Sequence, residues 1–402
     1  MKSMLRRIQT SRTGLLVAGS PVLEPSVVEL SINDFDDRSY YLVSPTAHAQ
    51  LAQATTEVHK MAMTCVEMAV NSNEIMDELR VPVEFREPIR ASWARGEQGL
   101  LGRMDFAWSE TEEDVEEGTT ECNREECGKT EKEKEKKWLL KFLEYNADTP
   151  GSYYETGVLQ PEFGRMMGYR TAGDEFVPRL VDALRKRRLP EPFGVLYHPG
   201  DAYLANMATF MTDMGRKAGY SVERLAFPEF KRSQKLGSAF KIFRWHAIWN
   251  NKFPAVRELL EGELKDAPVM EPAWKYLLQN KGLMVLMWRL FPGHPNLLAT
   301  TFTSHTDIPR WDTHGYVVKS FHGILGGEVG VFTPEFKTGN VGLTWTGPSV
   351  YQEYVHMPCI DGRFPIVSSW TIDGEYGGAL IREDKARVTN DDIGLPMLIT
   401  DL

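Results

Sequence analysis

Two stretches concentrate the side chains that could do chemistry. Gly102-Arg103-Met104-Asp105-Phe106-Ala107-Trp108 and Leu143-Glu144-Tyr145-Asn146-Ala147-Asp148-Thr149-Pro150 set charged and amide residues between apolar, strand-like ones. Asp105, Glu144 and Asn146 are hard oxygen ligands. Such a set suits Mg²⁺, which takes a few carboxylate or carbonyl oxygens and keeps substrate phosphates in its shell. Arg103, two residues from Asp105, shares its side of a strand and reaches the same place.

A second group lies far along the chain. Lys319 ends the strand-like run Gly315 to Lys319, just before a loop with Gly323, Gly326 and Gly327 and a returning strand, Glu328 to Phe332. Backbone N–H groups and an ammonium converging there would suit a polyphosphate, because glycines let the main chain approach oxygen atoms closely. A Gly-rich turn with a solvated lysine is the competing reading. Lys281, after Asn280 at a helix start, is open to both. No Ser/His/Asp or Cys/His nucleophile arrangement stands out, and Cys359 reads as a buried small hydrophobe.

These residues need elements to position them. Leu51, Ala54, Val58, Met61, Cys65, Met68 and Ala69 recur at helical spacing, and Ser44-Pro45 is a helix start, so one amphipathic helix is expected from Pro45 to about Leu79. Gly102 to Trp108 and Trp138 to Asn146 read as paired strands. Between them Ser109 to Lys137 is an acidic half followed by a Lys/Glu half, which cannot bury a core face and reads as a solvated hairpin extension or loop. Phe193 to His198, a Pro-Gly-Asp turn and a helix from Ala202 to Ala218 make a βα unit of a small parallel sheet. Phe240 to Glu261 reads as an aromatic-rich helical stretch. Pro365 to Ile372 and Glu375 to Arg382 flank Asp373-Gly374, a pair suited to the positive φ of a type I′ hairpin turn.

Composition sets the outer limits. The 402 residues are 42% hydrophobic and 25% charged, ordinary for a globular chain, with a formal net charge of −10 that argues against a phosphate-neutralising nucleic-acid surface. Arg185 to Arg188 is the one compact basic cluster and reads as a helix end. Four cysteines in a chain of 402 residues make no disulfide framework, and Cys122 and Cys127 lack a second Cys/His pair for zinc. The apolar run Leu15 to Ala18 behind Arg6, Arg7 and Arg12 is too short for a signal peptide, and no run reaches membrane-spanning length. A cytoplasmic protein without nucleic-acid or membrane partners is the expectation.

The ordered set of motifs is more specific than any one of them. Gly-Arg-Met-Asp-Phe-Ala-Trp, Leu-Glu-Tyr-Asn-Ala-Asp-Thr-Pro, Glu-Pro-Ala-Trp from Glu271, Asn-Lys-Gly-Leu from Asn280, Val-Val-Lys ending at Lys319, Val-Tyr-Gln-Glu-Tyr around Gln352 and Leu-Ile-Arg-Glu-Asp around Arg382 occur in that order. Together they resemble the glutathionylspermidine synthase family.

The resemblance implies an α/β (α+β) chain with a permuted ATP-grasp fold and a smaller, pre-ATP-grasp-like α/β domain. Its parts would be an N-terminal region over 1–95, a metal- and substrate-binding part over 96–190 with the charged insertion 109–137, the small domain over 191–235 and an ATP-binding part over 236–402. It implies an ATP- and Mg²⁺-dependent carboxylate–amine ligase acting on a glutathione-like carboxylate through an acyl phosphate. Asp105, Glu144 and Asn146 would hold Mg²⁺. Lys281, Lys319, Gly323, Gln352 and Arg382 would serve ATP, and Arg103, Thr149 and Ser152 the carboxylate, with Arg103 and Arg382 nearest the reacting atoms.

The chain departs from the family pattern at two places. Ile324 stands where the glycine loop usually carries Arg, with His322 a substitute when protonated, and Asp201 is the one acidic residue where polyamine-binding members have several. No amidase region fits beside the ligase motifs. The altered loop motivates a second reading: a catalytically impaired member that binds nucleotide or docks a protein partner through 109–137.

Overall fold

The computed structural model describes residues 5–9, 35–114, 134–228, 235–339, 347–389 and 392–401. The architecture is mixed α/β, with four sheets among the described residues. A five-stranded antiparallel sheet forms the floor of the cleft described below. It contains β3 (Leu101–Asp114), β4 (Lys134–Asn146), β15 (Phe364–Ile372), β16 (Glu375–Asp384) and β17 (Ile393–Leu395), in the order β17-β16-β15-β3-β4. A second antiparallel sheet, in the order β10-β14-β11-β12-β13, is built from β10 (Thr300–Thr301), β11 (Tyr316–Ser320), β12 (Val329–Phe332), β13 (Lys337–Gly339) and β14 (Ser349–Glu353).

The expected hairpins are present. β15 and β16 join through Asp373 (φ 55°) and Gly374 (φ 82°), both left-handed as a two-residue turn with right-handed strand twist requires. β3 and β4 pair outward to Asp114 opposite Lys134, so the outer parts of the charged segment continue the ladder as a hairpin extension. Residues 115–133, including Cys122 and Cys127, lie outside the described residues.

The long helix packs on the reverse of the floor sheet. Leu51, Ala54, Val58, Met61, Cys65 and Ala69 are buried at helical spacing, while Met68, expected in that stripe, is exposed. Thr55 and Ser369 hydroxyls meet at 2.6 Å, and His59 Nδ1 lies 2.8 Å from Tyr145 OH. The helix ends at Val70 rather than near Leu79. Ser72 caps a new helix, Asn73–Glu78, by accepting from the Ile75 N–H, and so breaks the run.

The parallel sheet follows the βα expectation and then extends it. Its order is β7-β6-β8-β9, from β6 (Phe193–Tyr197), β7 (Val222–Ala226), β8 (Ser238–Lys241) and β9 (Val269–Met270). Asp201 is the N-cap of the helix Ala202–Lys217, accepting from Leu204 N–H at 3.2 Å. The aromatic-rich stretch from Phe240 is not one helix. Ser238–Lys241 pairs beside β6, Trp245–Trp249 is a short helix, and Pro254 opens another over Pro254–Glu261.

The fourth sheet ties both ends of the chain to the floor. It runs β1 (Leu5–Gln9), β2 (Ser39–Val43), β18 (Met397–Ile399) and β5 (Arg170–Thr171). Arg7 forks onto the buried Glu383 at 3.0 and 2.9 Å, and Tyr41 OH donates to the same carboxylate at 2.7 Å. Among the described residues no helix is long and apolar enough to cross a membrane.

Trp370 on β15 is fully buried, edge-on to Phe176 at 5.2 Å, with Nε1 donating to Thr156 Oγ1 at 3.0 Å. Trp370→Ala is expected to cost about 3–5 kcal/mol through lost burial and a residual cavity. Urea unfolding measures it, and an unchanged midpoint would contradict this packing role.

Candidate active site

Pleat and register bring the polar residues of the two opening stretches together. Arg103 stands opposite Asn146 and Asp105 opposite Glu144, so all four share one face of the β3–β4 ladder. On the same face Ser368 of β15 lies opposite Asp105, and Arg382 of β16 lies opposite Ile366. Four adjacent strands therefore each deliver polar groups to one surface.

Asp105, 2% exposed, is the hub. Arg103 donates to it from Nε and Nη2 at 3.1 and 3.2 Å, Arg382 from Nη2 at 2.7 Å, Ser368 at 2.9 Å and Asn146 Nδ2 at 3.1 Å. Arg382 also grips Asp392 at 2.6 Å and the Ser368 hydroxyl at 2.7 Å. Burial alone would lower the Arg382 pKa, but Asp105, Asp392 and Glu144 reverse that and raise it. It stays charged.

Immediately after Asp105 the ladder slips: Phe106 pairs with Phe142, leaving Leu143 as an extra residue. A bulge of this kind re-aims the strand. The Leu143 carbonyl accepts from Lys319 Nζ at 2.9 Å, linking the floor to the second sheet. Gln352 Oε1 also accepts from that ammonium, at 2.7 Å, while its amide donates toward Thr300 Oγ1 at 3.3 Å. Gln352 thus holds Lys319 in place. Burial pushes the Lys319 ammonium down to about 8, against the partial support of Glu144.

Lys281 comes from the turn before the helix Leu283–Leu290, which Asn280 fixes by bonding Leu79 O and Gly282 N–H, both at 2.8 Å. Its Nζ reaches Glu144 at 3.0 Å and Gly323 O at 2.7 Å. Burial would raise the Glu144 carboxyl, but Lys281 and Lys319 together outweigh this and hold it below the usual carboxylate range. The loop amides are less open than the sequence suggests. Gly323 N–H donates to Ser320 Oγ at 2.9 Å and Gly327 N–H to Ile324 O at 2.8 Å.

Between the two antiparallel sheets lies an open-mouthed cleft. Asp105, Glu144, Lys281 and Lys319 line one part, and Val317, Val329, Val331, Leu298 and Met357 an apolar part. Charged groups and aliphatic side chains thus share the lining, as is usual in a small-molecule site.

The remaining candidates lie on the turn after β4. Arg103 Nη1 donates to Gly151 O at 2.9 Å, and Ser152, at φ 73°, has its N–H on Tyr203 OH at 2.5 Å. Thr149 Oγ1 is buried with no hydrogen-bond partner, an orphan hydroxyl beside this assembly. The turn itself is pinned by ion pairs that the sequence did not reveal. Lys241 Nζ bonds Asp148, Trp245 N–H donates to Asp148 at 2.6 Å, and Gln279 Oε1 accepts from Ala147 and Asp148 N–H at 3.0 and 3.2 Å. A parallel pair, Lys275–Glu271 at 2.6 Å, anchors the start of β3, where Glu271 accepts from Leu100 and Leu101 N–H at 2.8 Å each. Lysine and glutamate in apolar surroundings carry no periodic signal.

Two further expectations change. His322 stacks on His246 at 4.1 Å and approaches Tyr276 OH at 3.2 Å; burial pushes it down to about 3, so it is neutral and is no substitute cation. Cys359 is exposed, because it lies in the loop leading to the left-handed turn at Asp361 and Gly362. Among the described residues no three His, Cys, Asp or Glu side chains converge on a metal position. The hard-ligand set is two carboxylates plus Asn146, whose Nδ2 lies 3.1 Å from both Asp105 and Glu144. Both carboxylates therefore converge on one point, and a reversed amide would present its oxygen there, so the donor set fits a hard divalent cation.

The model of the glutathionylspermidine synthase preATP-grasp family matches residues 30–116 and 136–394. The chain belongs to that family. The family match passes over residues 117–135 and takes in every candidate residue above. Among relatives in this family, the bifunctional glutathionylspermidine synthetase/amidase of Escherichia coli is 24% identical over 399 residues, 90% of this chain and 60% of that protein. The chain thus spans about 60% of that bifunctional relative. A candidate acid–amine ligase of Haemophilus influenzae is 24% identical over 94% of this chain and 97% of its own length. Trypanothione synthetase of Crithidia fasciculata is 21% identical over 88% of this chain and 55% of its own.

Removing Asp105 leaves two buried guanidinium groups without their shared carboxylate. Asp105→Ala is expected to destabilise the ligand-free protein by about 3–5 kcal/mol, the usual cost of stranding a buried charge. Calorimetric unfolding checks it, and a shift no larger than that of an exposed Asp→Ala control would refute the hub.

Proposed function

We propose that this chain is an ATP- and Mg²⁺-dependent ligase that joins a peptide or amino-acid carboxylate to an amine, on a permuted ATP-grasp body with a smaller α/β domain. The observation that carries the reading is the clustering of Asp105, Glu144, Asn146, Lys281, Lys319 and Arg382, of which Asp105, Glu144, Lys281 and Lys319 line a cleft that also has an aliphatic part. Four cations (Arg103, Lys281, Lys319, Arg382) face three carboxylates (Asp105, Glu144, Asp392), and Lys319 lacks a carboxylate of its own. That surplus of positive charge suits a polyphosphate.

A carboxylate and an amine do not condense in neutral water without activation. In the proposed reaction a carboxylate oxygen attacks the γ-phosphorus, and the bond to the bridging oxygen breaks, its electron pair leaving on ADP. The amine then attacks the acyl carbon, phosphate departs, and the amine's surplus proton passes to solvent. Such a sequence needs positioning and charge stabilisation more than covalent help.

The roles of the residues follow from their contacts. Lys319, aimed by Gln352 and the Leu143 carbonyl, would meet the phosphates from one wall, and Lys281 from the glycine-loop side. Arg382, braced by Asp392, would neutralise charge over the floor. Arg103 and the orphan Thr149 hydroxyl would bind the carboxylate substrate, with Ser152 holding the turn. Asp105, Glu144 and Asn146 would hold Mg²⁺, which when bound screens phosphate charge. The ligase descriptions of the relatives favour catalysis over a pure interaction role.

Two measurements test this. ADP release with ATP, Mg²⁺ and a panel of carboxylates and amines should fall at least 10²-fold in Glu144→Gln, with the melting temperature kept. EDTA should abolish it, and activity surviving both would sink the metal assignment. The second uses pH. Lys319 loses its proton near pH 8 in the free protein, and a bound polyphosphate would raise that value, so binding takes up a proton. Nucleotide affinity should therefore hold below pH 8 and fall above it. Titration calorimetry from neutral to alkaline pH reads the slope, which Lys319→Met should flatten; equal slopes in both proteins would refute the assignment.

A further inference from the structure

Arg244 has no part in the roles above. It directly precedes the helix Trp245–Trp249, and its Nη1 donates a long hydrogen bond, 3.4 Å, to His322 O. Among the described residues no carboxylate lies within ion-pair distance of its guanidinium. Burial pushes Arg244 down, and the charge of Asp148 offsets this only in part. A planar guanidinium carries several donors in a fixed fork, and folded proteins pair such a group once it leaves water. Arg244 is half-buried, and apart from the Nη1 contact its donors make no hydrogen bond among the described residues.

Its neighbours show where it stands. His322 leads into Gly323, whose carbonyl holds Lys281 at 2.7 Å, and Lys281 pairs with Glu144 at 3.0 Å. On the other side Trp245, next in the chain, donates its N–H to Asp148, in the turn that carries the orphan Thr149 hydroxyl. Arg244 therefore lies at the seam between the glycine loop and the turn after β4. The loop supplies no cation: Ile324 and Leu325 are its exposed side chains, and the adjacent His322 and His246 are pushed down to about 3 and about 4.

We propose that Arg244 is a catalytic residue, reaching the γ-phosphoryl group from the side of the parallel sheet as it passes from nucleotide to carboxylate. This rests on the ligase reading above. The guanidinium makes and breaks no bond. It neutralises the phosphoryl oxygens while the new O–P bond forms and the bond to ADP breaks, the service a forked cation performs best.

The test separates the terminal phosphate from the rest of the nucleotide. With Mg²⁺ present, Arg244→Met should weaken AMPPNP binding by about tenfold or more and leave ADP binding unchanged, as expected when one charged hydrogen-bond donor to the terminal phosphate is lost. In turnover, ADP release should fall about 10²-fold, with the KM for ATP rising in step with the weakened AMPPNP binding, and millimolar guanidinium should restore part of it. Should Arg244→Met fold poorly, Arg244→Lys keeps the charge without the fork and should fall between the two. Equal AMPPNP affinity in variant and wild type, or equal losses for AMPPNP and ADP, would overturn the assignment. A wild-type protein that binds AMPPNP but turns over no substrate pair would overturn the ligase reading alone, because the binding difference at Arg244 would stand.

Discussion

One carboxylate organises the floor of this molecule. Asp105 is 2% exposed and receives two arginines, a serine and an amide drawn from four neighbouring strands. Burying a lone carboxylate is costly, and it persists only because each oxygen is paired. The partners are spaced by strand register, so the pairing also fixes how β16, β15, β3 and β4 align. Chemistry and architecture share the same contacts, and the floor sheet cannot slip by a residue without turning Asp105 into the opposite layer.

Polar links at the proposed phosphate end help to join the second sheet to the first. Lys319 bonds the bulged Leu143 carbonyl, and Lys281 bridges Glu144 to Gly323. Toward the apolar end the wall is valine, leucine and methionine. Two layers held together through charged groups respond to anything that alters those charges, so a polyanion entering there would compete directly with the contacts that close the cleft.

Much of this was legible from residue order. Arg103 with Asp105 and Glu144 near Asn146 could be read because strand alternation marks shared faces, and Asp373-Gly374 because its turn demands positive φ. What escaped had no local pattern. Ser368 and Asp392 matter through pairing with strands far away in sequence, and Gln352, which lines the cleft, also supports Lys319. The buried pairs Lys241–Asp148 and Lys275–Glu271 sit in apolar runs where a charge reads as surface. Phe240 looked helical because aromatic residues serve both helices and parallel strands, and only the ladder beside β6 decides between them. The break at Ser72 was available locally, since a serine that can bond an N–H three residues on is a cap.

The bulge at Leu143 also divides the β3–β4 hairpin into two independent stretches. On the inner side the alternation is locked to Asp105 and Glu144. On the outer side the count restarts, and the family match skips residues 117–135. A change in hairpin length beyond the bulge therefore carries no parity inward. A change in the length of the outer stretch leaves the inner four side chains at their addresses.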